Sequence, residues 1–358
     1  MVNSLKKLTQ SQLAMPLFAL FLVVIFNLFR DVGFFSISVI TNNYGNTVLS
    51  GNIISILNGA SELAILAIAM TLVTSVTKGQ DISVGALAAI AGSIFVKVLR
   101  ANEITMPVIL MSLLAAVVVA ILFALFTGTL VSKFNIQPMI ASLILFTAGR
   151  PIAYWINGGA TPNVESPLLN YIGSFIPGIP IPTPILIIIV FGILVTLALR
   201  FTNLGLYIQS VGINERAARL NGINPVFMKL LVFMILGVCV TIAGSINVCR
   251  IGLINHETIL LDIEMDAILA VAIGGNALSG GKFKLAGSVI GAYIIQALTI
   301  TLYAMQVSST AVKAYKAIVI IALVVIGSPV IQEWALKLRD RLFKKPKKNN
   351  GEKLIWHY

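Results

Sequence analysis

Charge is scarce in this chain: Asp, Glu, Lys and Arg make up 11% of its 358 residues, against 58% hydrophobic. A soluble domain carries roughly a quarter charged residues, so a water-facing surface of ordinary size is excluded. Histidine and cysteine are nearly absent, with two of each. His256 and His357 stand alone, without metal-ligand spacing to a second His or Cys, which argues against a metal site. Cys239 and Cys249 fall on one apolar stretch, too far apart along a helix to bridge, and read as packing residues. No nucleophile and base stand in a recognisable motif, so no catalytic residue is assigned. Acidic residues number 13 against 25 basic ones, a net charge of +12. The basic residues sit in short loops and at the ends, not across a face, which excludes a nucleic-acid surface.

What is present is long apolar runs, with a mean hydropathy of +0.98. A bilayer core needs about 20 apolar residues per helix. Clear spans lie near 12–29, 53–76, 105–132, 184–199, 227–249, 285–305 and 312–330. Shorter or more polar segments near 83–99, 138–156 and 263–279 have the small-residue spacing of buried bundle helices. The sequence therefore predicts an all-α polytopic membrane protein of about ten transmembrane helices. Lys6 and Lys7 before the first run resemble a secretory signal, but no small-residue cleavage site follows, so an uncleaved first span is expected.

Basic residues near span ends mark the cytoplasmic side. Arg200, Arg216, Arg219 and Lys229 in the 200–229 loop, with Lys337, Arg339, Arg341, Lys344, Lys345, Lys347 and Lys348, place both termini inside. Lys97, Arg100, Arg150 and Arg250 run against that rule. The chain divides into a cytoplasmic N-terminus (1–11), a transmembrane domain (12–334) containing the 200–229 loop, and a basic tail (335–358) suited to anionic lipid. The outer 157–183 loop, with Pro177, Pro180, Pro182 and Pro184, reads as an irregular or short-helical cap, either a partner dock or a plain connector. Ile90-Ala91-Gly92-Ser93-Ile94 recurs as Ile242-Ala243-Gly244-Ser245-Ile246, echoed by Ala286-Gly287-Ser288. Helix packing explains this composition more simply than an internal repeat does.

Three segments carry more. In Thr77-Lys78-Gly79-Gln80-Asp81-Ile82-Ser83-Val84-Gly85-Ala86, Asp81 or Ser83 either caps the next helix or lines a polar path at a break. In Val211 to Pro225, Asn214 caps a short helix that Gly222 and Pro225 terminate. That helix is too polar to span, and Ala217 and Ala218 favour a protein groove over lipid. In Leu261 to Lys282, Glu264 and Asp266 edge an apolar run, and Asn276 opens a stretch ending in Gly280-Gly281-Lys282. A P-loop needs G-x-x-x-x-G-K-[S/T]. Here the first position is Asn276 and the last Phe283, so no nucleotide site is present. Glu62 and Arg150, flanked by apolar residues, face an aqueous path or pair structurally, and Asn58, four residues before Glu62, joins that set.

At these segments the sequence resembles the permeases of the ribose and galactose group of bacterial ATP-binding-cassette (ABC) importers, from about Ile54 to Ile326. The resemblance rests on Met70-Thr71-Leu72-Val73, Asp81-Ile82-Ser83-Val84-Gly85, Gly212 through Asn224, Asp266 through Gly275, and Leu278-Ser279-Gly280-Gly281, in that order. Pro138, Ala148-Gly149-Arg150 and Ile295-Gln296 look closest to galactofuranose-type permeases. Gln80 and Glu62 depart from the pattern.

The resemblance implies a type II importer permease fold in the bacterial inner membrane and a monosaccharide as cargo. It implies a second permease subunit, separate ATPase subunits holding ATP and Mg, and an extracytoplasmic sugar-binding protein. Gly212, Asn214, Glu215, Arg216, Ala217, Ala218, Arg219 and Gly222 would then form the coupling helix. The path or gate set is Asn58, Glu62, Asp81, Ser83, Arg150, Asp266 and Asn276. The rivals are an ABC permease for a nucleoside or other small polar solute, an ion-coupled secondary transporter, and a non-transporting receptor or scaffold.

Overall fold

Apolar side chains on every face of a helix need neighbours or lipid on every face, and that requirement arranges the chain as a bundle. The computed structural model describes residues 13–41 and 47–327. The N-terminal lysines, the basic tail and His357 lie outside the described residues, as does the end of the 312–330 span.

The bundle opens with α1 (Ala14–Arg30), whose last residue, Arg30, hydrogen-bonds the carbonyl of Ala304. A 3-10 turn (Val32–Phe35) and two short antiparallel strands follow, β1 (Ser38–Thr41) and β2 (Thr47–Ser50), in register Ser38↔Ser50. Then come α2 (Asn52–Thr77), α3 (Val84–Arg100), α4 (Met106–Ser132), α5 (Pro138–Ile156), the short α6 (Pro167–Gly173) and α7 (Thr183–Phe201). The second half holds α8 (Leu204–Ile213), α9 (Glu215–Leu220), α10 (Pro225–Ile251), α11 (Ile263–Ile273), α12 (Leu285–Ala304) and α13 (Ser309–Gly327). Proline stands in the first turn of α4, α5, α6, α7 and α10, where its fixed φ starts a helix and its missing N–H costs nothing.

The core is α2. Of its most apolar stretch 61% is buried, against 17% for α7, which stands at the edge. Around α2 pack α10, α12, α11 and α7, while α3 bridges α4, α5 and α10. Among the described residues six helices are long and apolar enough to cross a membrane: α2, α4, α5, α7, α10 and α12. Helices α1, α3, α11 and α13 stand at the remaining expected spans. The span expected over 263–279 stops as helix at Ile273, because Gly275 turns into the left-handed region at φ +77. The 157–183 loop contains α6 and is tied back to the bundle by Asn163↔Leu253 pairing.

Small residues set the closest approaches. A Cβ on Gly244 would lie 2.9 Å from the Ala88 carbonyl oxygen, and one on Gly287 2.1 Å from that of Gly274. Two of the three recurring Ala-Gly-Ser segments are thus places where backbones meet, whereas Gly92 of the first packs against the side chains of Ile254, Ile259 and Val248. The same argument gives a paired test on α12 and α7. Gly291 leaves only 2.2 Å between a Cβ and the Ala270 carbonyl oxygen, whereas Gly192 has nothing within 4 Å. Gly291→Val should lower stability in detergent by about 1–3 kcal/mol, and Gly192→Ala should raise it by up to ~1 kcal/mol. Unfolding midpoints of the purified chain measure both, and equal midpoints would refute this account of the packing.

Candidate functional site

A carboxylate inside a bundle of apolar helices needs a counter-charge, because desolvation otherwise makes the ion untenable. Glu62 is 2% exposed in the middle of α2, and Arg250 near the end of α10 meets it at 2.9 Å. The approach lies off the hydrogen-bond axis, so both Glu62 oxygens remain without an aligned donor. Arg250 turns its other nitrogen to Asn58, reaching the backbone oxygen and Oδ1 at 3.2 Å each. Glu62 and Asn58, four apart and hence on one face of α2, are therefore joined through one guanidinium.

A second cluster forms where two helices begin after non-helical stretches. Segment 78–83 precedes α3 and 252–262 precedes α11. Arg150, on α5, donates through Nη1 to the carbonyls of His256, Glu257 and Ile259 at 2.8, 3.1 and 3.1 Å. Its Nη2 is buried without a partner, as is Oε2 of Glu264, itself 2% exposed. Gly85 lies between them. The loop carries two non-glycine residues at positive φ, Leu260 (+44) and Asp262 (+63), a conformation that costs energy and needs support. Asp262 pairs with Lys313, and Asp266 with Lys316 at 2.7 Å.

The cap expected of Asp81 or Ser83 is not formed. Ser83 is the N-cap of α3 without a side-chain hydrogen bond to the helix. Asp81 Oδ1 instead accepts from the Ser83 amide at 2.7 Å and its hydroxyl at 2.6 Å, folding the break onto itself. A carboxylate two residues before the N-cap reaches the N-cap's own N–H, not those of the first turn. Gln80 donates to the Leu278 carbonyl at 3.1 Å and Ile82 donates to Ser142 Oγ at 3.0 Å. Asn276 is a staple: its amide nitrogen donates to the Lys284 carbonyl at 3.0 Å and to Ser288 Oγ at 2.8 Å, while its Oδ1 accepts from the Lys284 amide at 2.7 Å. The glycine-rich stretch is therefore a loop clasped over the start of α12.

At one end of α2, helices α8 and α9 form a compact projection. Gly212 packs so closely that its Cβ would strike the Ser75 carbonyl oxygen, and Gly281 donates to that oxygen at 2.9 Å. Asn214, at φ −149, breaks the chain between α8 and α9, and its Oδ1 accepts from the Ala217 amide at 3.1 Å, so the expected cap is formed. Gly222 (φ +79) turns the chain after α9. Glu215 pairs with Lys229 at 2.8 Å and with Arg219 at 3.8 Å. Lys229 is 6% exposed, so the Glu215 contact fastens α9 to α10. Ala217 faces outward beside Leu220, which is 89% exposed, but Ala218 is buried at 4% and seats the helix instead of lining a groove.

Among the described residues no group of three metal-ligating side chains occurs, and Cys239 and Cys249 are free and buried in α10. His256 offers its backbone carbonyl to Arg150 and its ring to Tyr154, with ring centres 4.6 Å apart. Among the described residues, a bundle built on six apolar helices long enough to cross a membrane, with internal ion pairs, is that of a multi-pass membrane protein.

The comparisons narrow this class. Residues 52–327 match the family described as the permease component of the branched-chain amino acid transport system. The chain is 36% identical to the fructose import permease protein FruF of Bifidobacterium longum, over 95% of this chain and 94% of that one. It is 40% identical to the galactofuranose transporter permease protein YtfT of Escherichia coli, over 78% of this chain and 80% of the relative. With the ribose import permease protein RbsC of Escherichia coli the identity is 33%, over 82% and 90% of the two chains. No solved structure matches. The chain belongs to this family and is a permease of the ABC-importer class, a transporter component and not itself an enzyme.

Of the path residues proposed from sequence, Asn58 and Glu62 come together through Arg250, Asp81 and Ser83 pair with each other, and Arg150 stands with Glu264. Asp266 and Asn276 are held apart from these by their own partners. Sequence reasoning passed over Arg250 and Lys229 as loop-end cations. The signal was available: a carboxylate inside a span demands a cation at similar depth, and Arg250 closes an apolar helix.

Removing that cation should expose the dependence. Arg250→Met leaves Glu62 without its counter-charge and should cost about 3–5 kcal/mol, while Glu62→Leu combined with Arg250→Met should recover most of the loss. Chemical unfolding in detergent reads both, and a double variant no better than the single one would refute the pairing.

Proposed function

We propose that this chain forms, with a second permease subunit, the path by which a monosaccharide enters the cell through an ABC importer. The observation that carries the reading is the similarity to import permeases for fructose, galactofuranose and ribose along most of the chain. ATP and Mg belong on separate ATPase subunits, and an extracytoplasmic binding protein delivers the sugar. The transmembrane domain is 12–334, lying in the bacterial inner membrane with both termini cytoplasmic. This orientation is supported by the basic 200–229 loop and the basic 335–358 tail, which also meets anionic lipid.

In this reading α9 is the coupling helix. Gly212, Asn214, Glu215, Arg216, Ala217, Ala218, Arg219 and Gly222 shape it, with Leu220 as the apolar tip offered to the ATPase. Asn58, Glu62, Asp81, Ser83, Arg150, Asp266 and Asn276 set the polarity of the path or hold its walls. The similarity to ABC import permeases along most of the chain speaks against an ion-coupled transporter.

The test is uptake of radiolabelled D-fructose, D-ribose and D-galactose by cells that carry or lack the chain. Uptake of at least one sugar should depend on the chain and stop when ATP is depleted. Leu220→Asp and Gly222→Trp should each reduce uptake about ten-fold or more while the protein still inserts, since docking needs contacts that differ between states. Unchanged uptake in both variants would sink the coupling role, and no chain-dependent uptake would sink the sugar.

A further inference from the structure

Irregular backbone at membrane depth persists only where protein covers it or a polar path runs beside it, and broken helices commonly aim their ends at a transported solute. Two such breaks meet in this bundle. Gly79 abuts Pro138 at the start of α5, whereas Gly85 lies against Arg150, twelve residues further along that helix. Twelve residues rise about 18 Å, so α3 begins well inside the bundle, and α11 begins beside it.

From the point where a Cβ on Gly85 would stand, Glu264 Oε2 is 2.5 Å away, the Leu260 carbonyl oxygen 2.9 Å and Arg150 Nη2 3.2 Å. Glu264 Oε2 and Arg150 Nη2 have no hydrogen-bond partner, although Glu264 is 2% exposed and an orphaned buried charge is costly. Three elements thus bring one donor and two acceptors to the bare face of a glycine. A hydroxyl satisfies the two orphans by itself, accepting from the guanidinium N–H and donating its one proton to the carboxylate, while the Leu260 carbonyl already accepts from the Ile263 amide. A carboxylate ligand would be repelled by Glu264, and an apolar one would leave both ions orphaned.

We propose that Gly85, Arg150 and Glu264 form a hydroxyl-binding point on the path, the place where this permease reads a hydroxyl group of the transported sugar. The assignment rests on the sugar reading above. Arg150 serves it twice, since Nη1 fixes the loop carbonyls while Nη2 points to the slot. The distances around that point leave no room for a hydroxyl, so the slot takes one only where α3 and α11 move apart.

The experiment compares uptake of D-fructose, D-ribose and D-galactose with that of their singly deoxygenated analogues, at saturating concentration, in cells carrying the complete importer with wild-type chain or Glu264→Gln. Wild type should carry its best sugar about ten-fold faster than one particular deoxy analogue, the worth of one hydrogen bond to a charged group. In Glu264→Gln the difference should shrink to about two-fold, with the amount of chain in the membrane unchanged. Should that variant not reach the membrane, Glu264→Asp, which keeps the charge but withdraws it by one methylene, carries the same test with an intermediate result. A difference that persists in the variant, a uniform loss across all sugars and analogues, or no discrimination by wild type would each overturn the slot and leave a resident water as its occupant. Absence of chain-dependent sugar uptake would sink the sugar reading and the slot together. Normal uptake with unaltered discrimination sinks the slot alone.

Discussion

Lipid offers a peptide group no hydrogen-bond partner, and that constraint governs this chain more than any single contact. Regular helices satisfy their own backbones, so they supply most of the described structure. Segments 78–83 and 252–262 are exceptions, and side chains satisfy them, some from elsewhere in the sequence and one from within the first segment. Ser142 accepts the Ile82 amide, Asp81 the Ser83 amide, and Arg150 gathers three carbonyls of the second segment. A cation that breaks the charge rule of the loops is thus what makes a broken helix tolerable inside the bundle.

Between helices the constraint is different. Apolar surface gains little by leaving lipid for another helix, so association relies on close packing and internal polar contacts. Both are visible around α2 and α12. Gly287 and Gly291 bring α12 against Gly274 and Ala270, and beside them Thr71, Ser288 and Asn276 form a hydrogen-bonded chain with separations of 2.6 and 2.8 Å. The serine that follows each glycine in the recurring segments adds to this where it is paired, as Ser93 is with Asn157. Composition that looks like repetition in one dimension is, in three, the same solution to the same packing requirement.

This explains what the sequence could reveal. Hydropathy located most of the helices to within a few residues because length and apolarity are local properties, and Asn214 with Gly222 announced α9 because capping is local too. Pairings between distant positions were hidden. Glu62 and Arg150 could be named as unusual, yet Arg250 is set against Glu62 only by the packing of α10 on α2. The small size of Ala218 announces close packing, but which face of a six-residue helix the bundle covers is not a local property. The position of Asp81 allows a cap or a path-lining role, and the backbone of the break turns it toward Ser83 in place of a cap.

The two charge clusters that matter at opposite ends of the protein share one element. Lys229 near the start of α10 holds Glu215 of the projecting helix, and Arg250 near its end holds Glu62 and Asn58 of the central helix. Twenty-one residues separate the two cations along an unbroken helix, a rise of about 32 Å. With Lys229 almost wholly buried, the projection cannot shift relative to the bundle without either carrying α10 along or leaving Lys229 buried and unpaired. Breaking either ion pair leaves a buried charge behind, so α10 is the element that ties α9 to one end of the bundle and fixes Glu62 of α2 further along it.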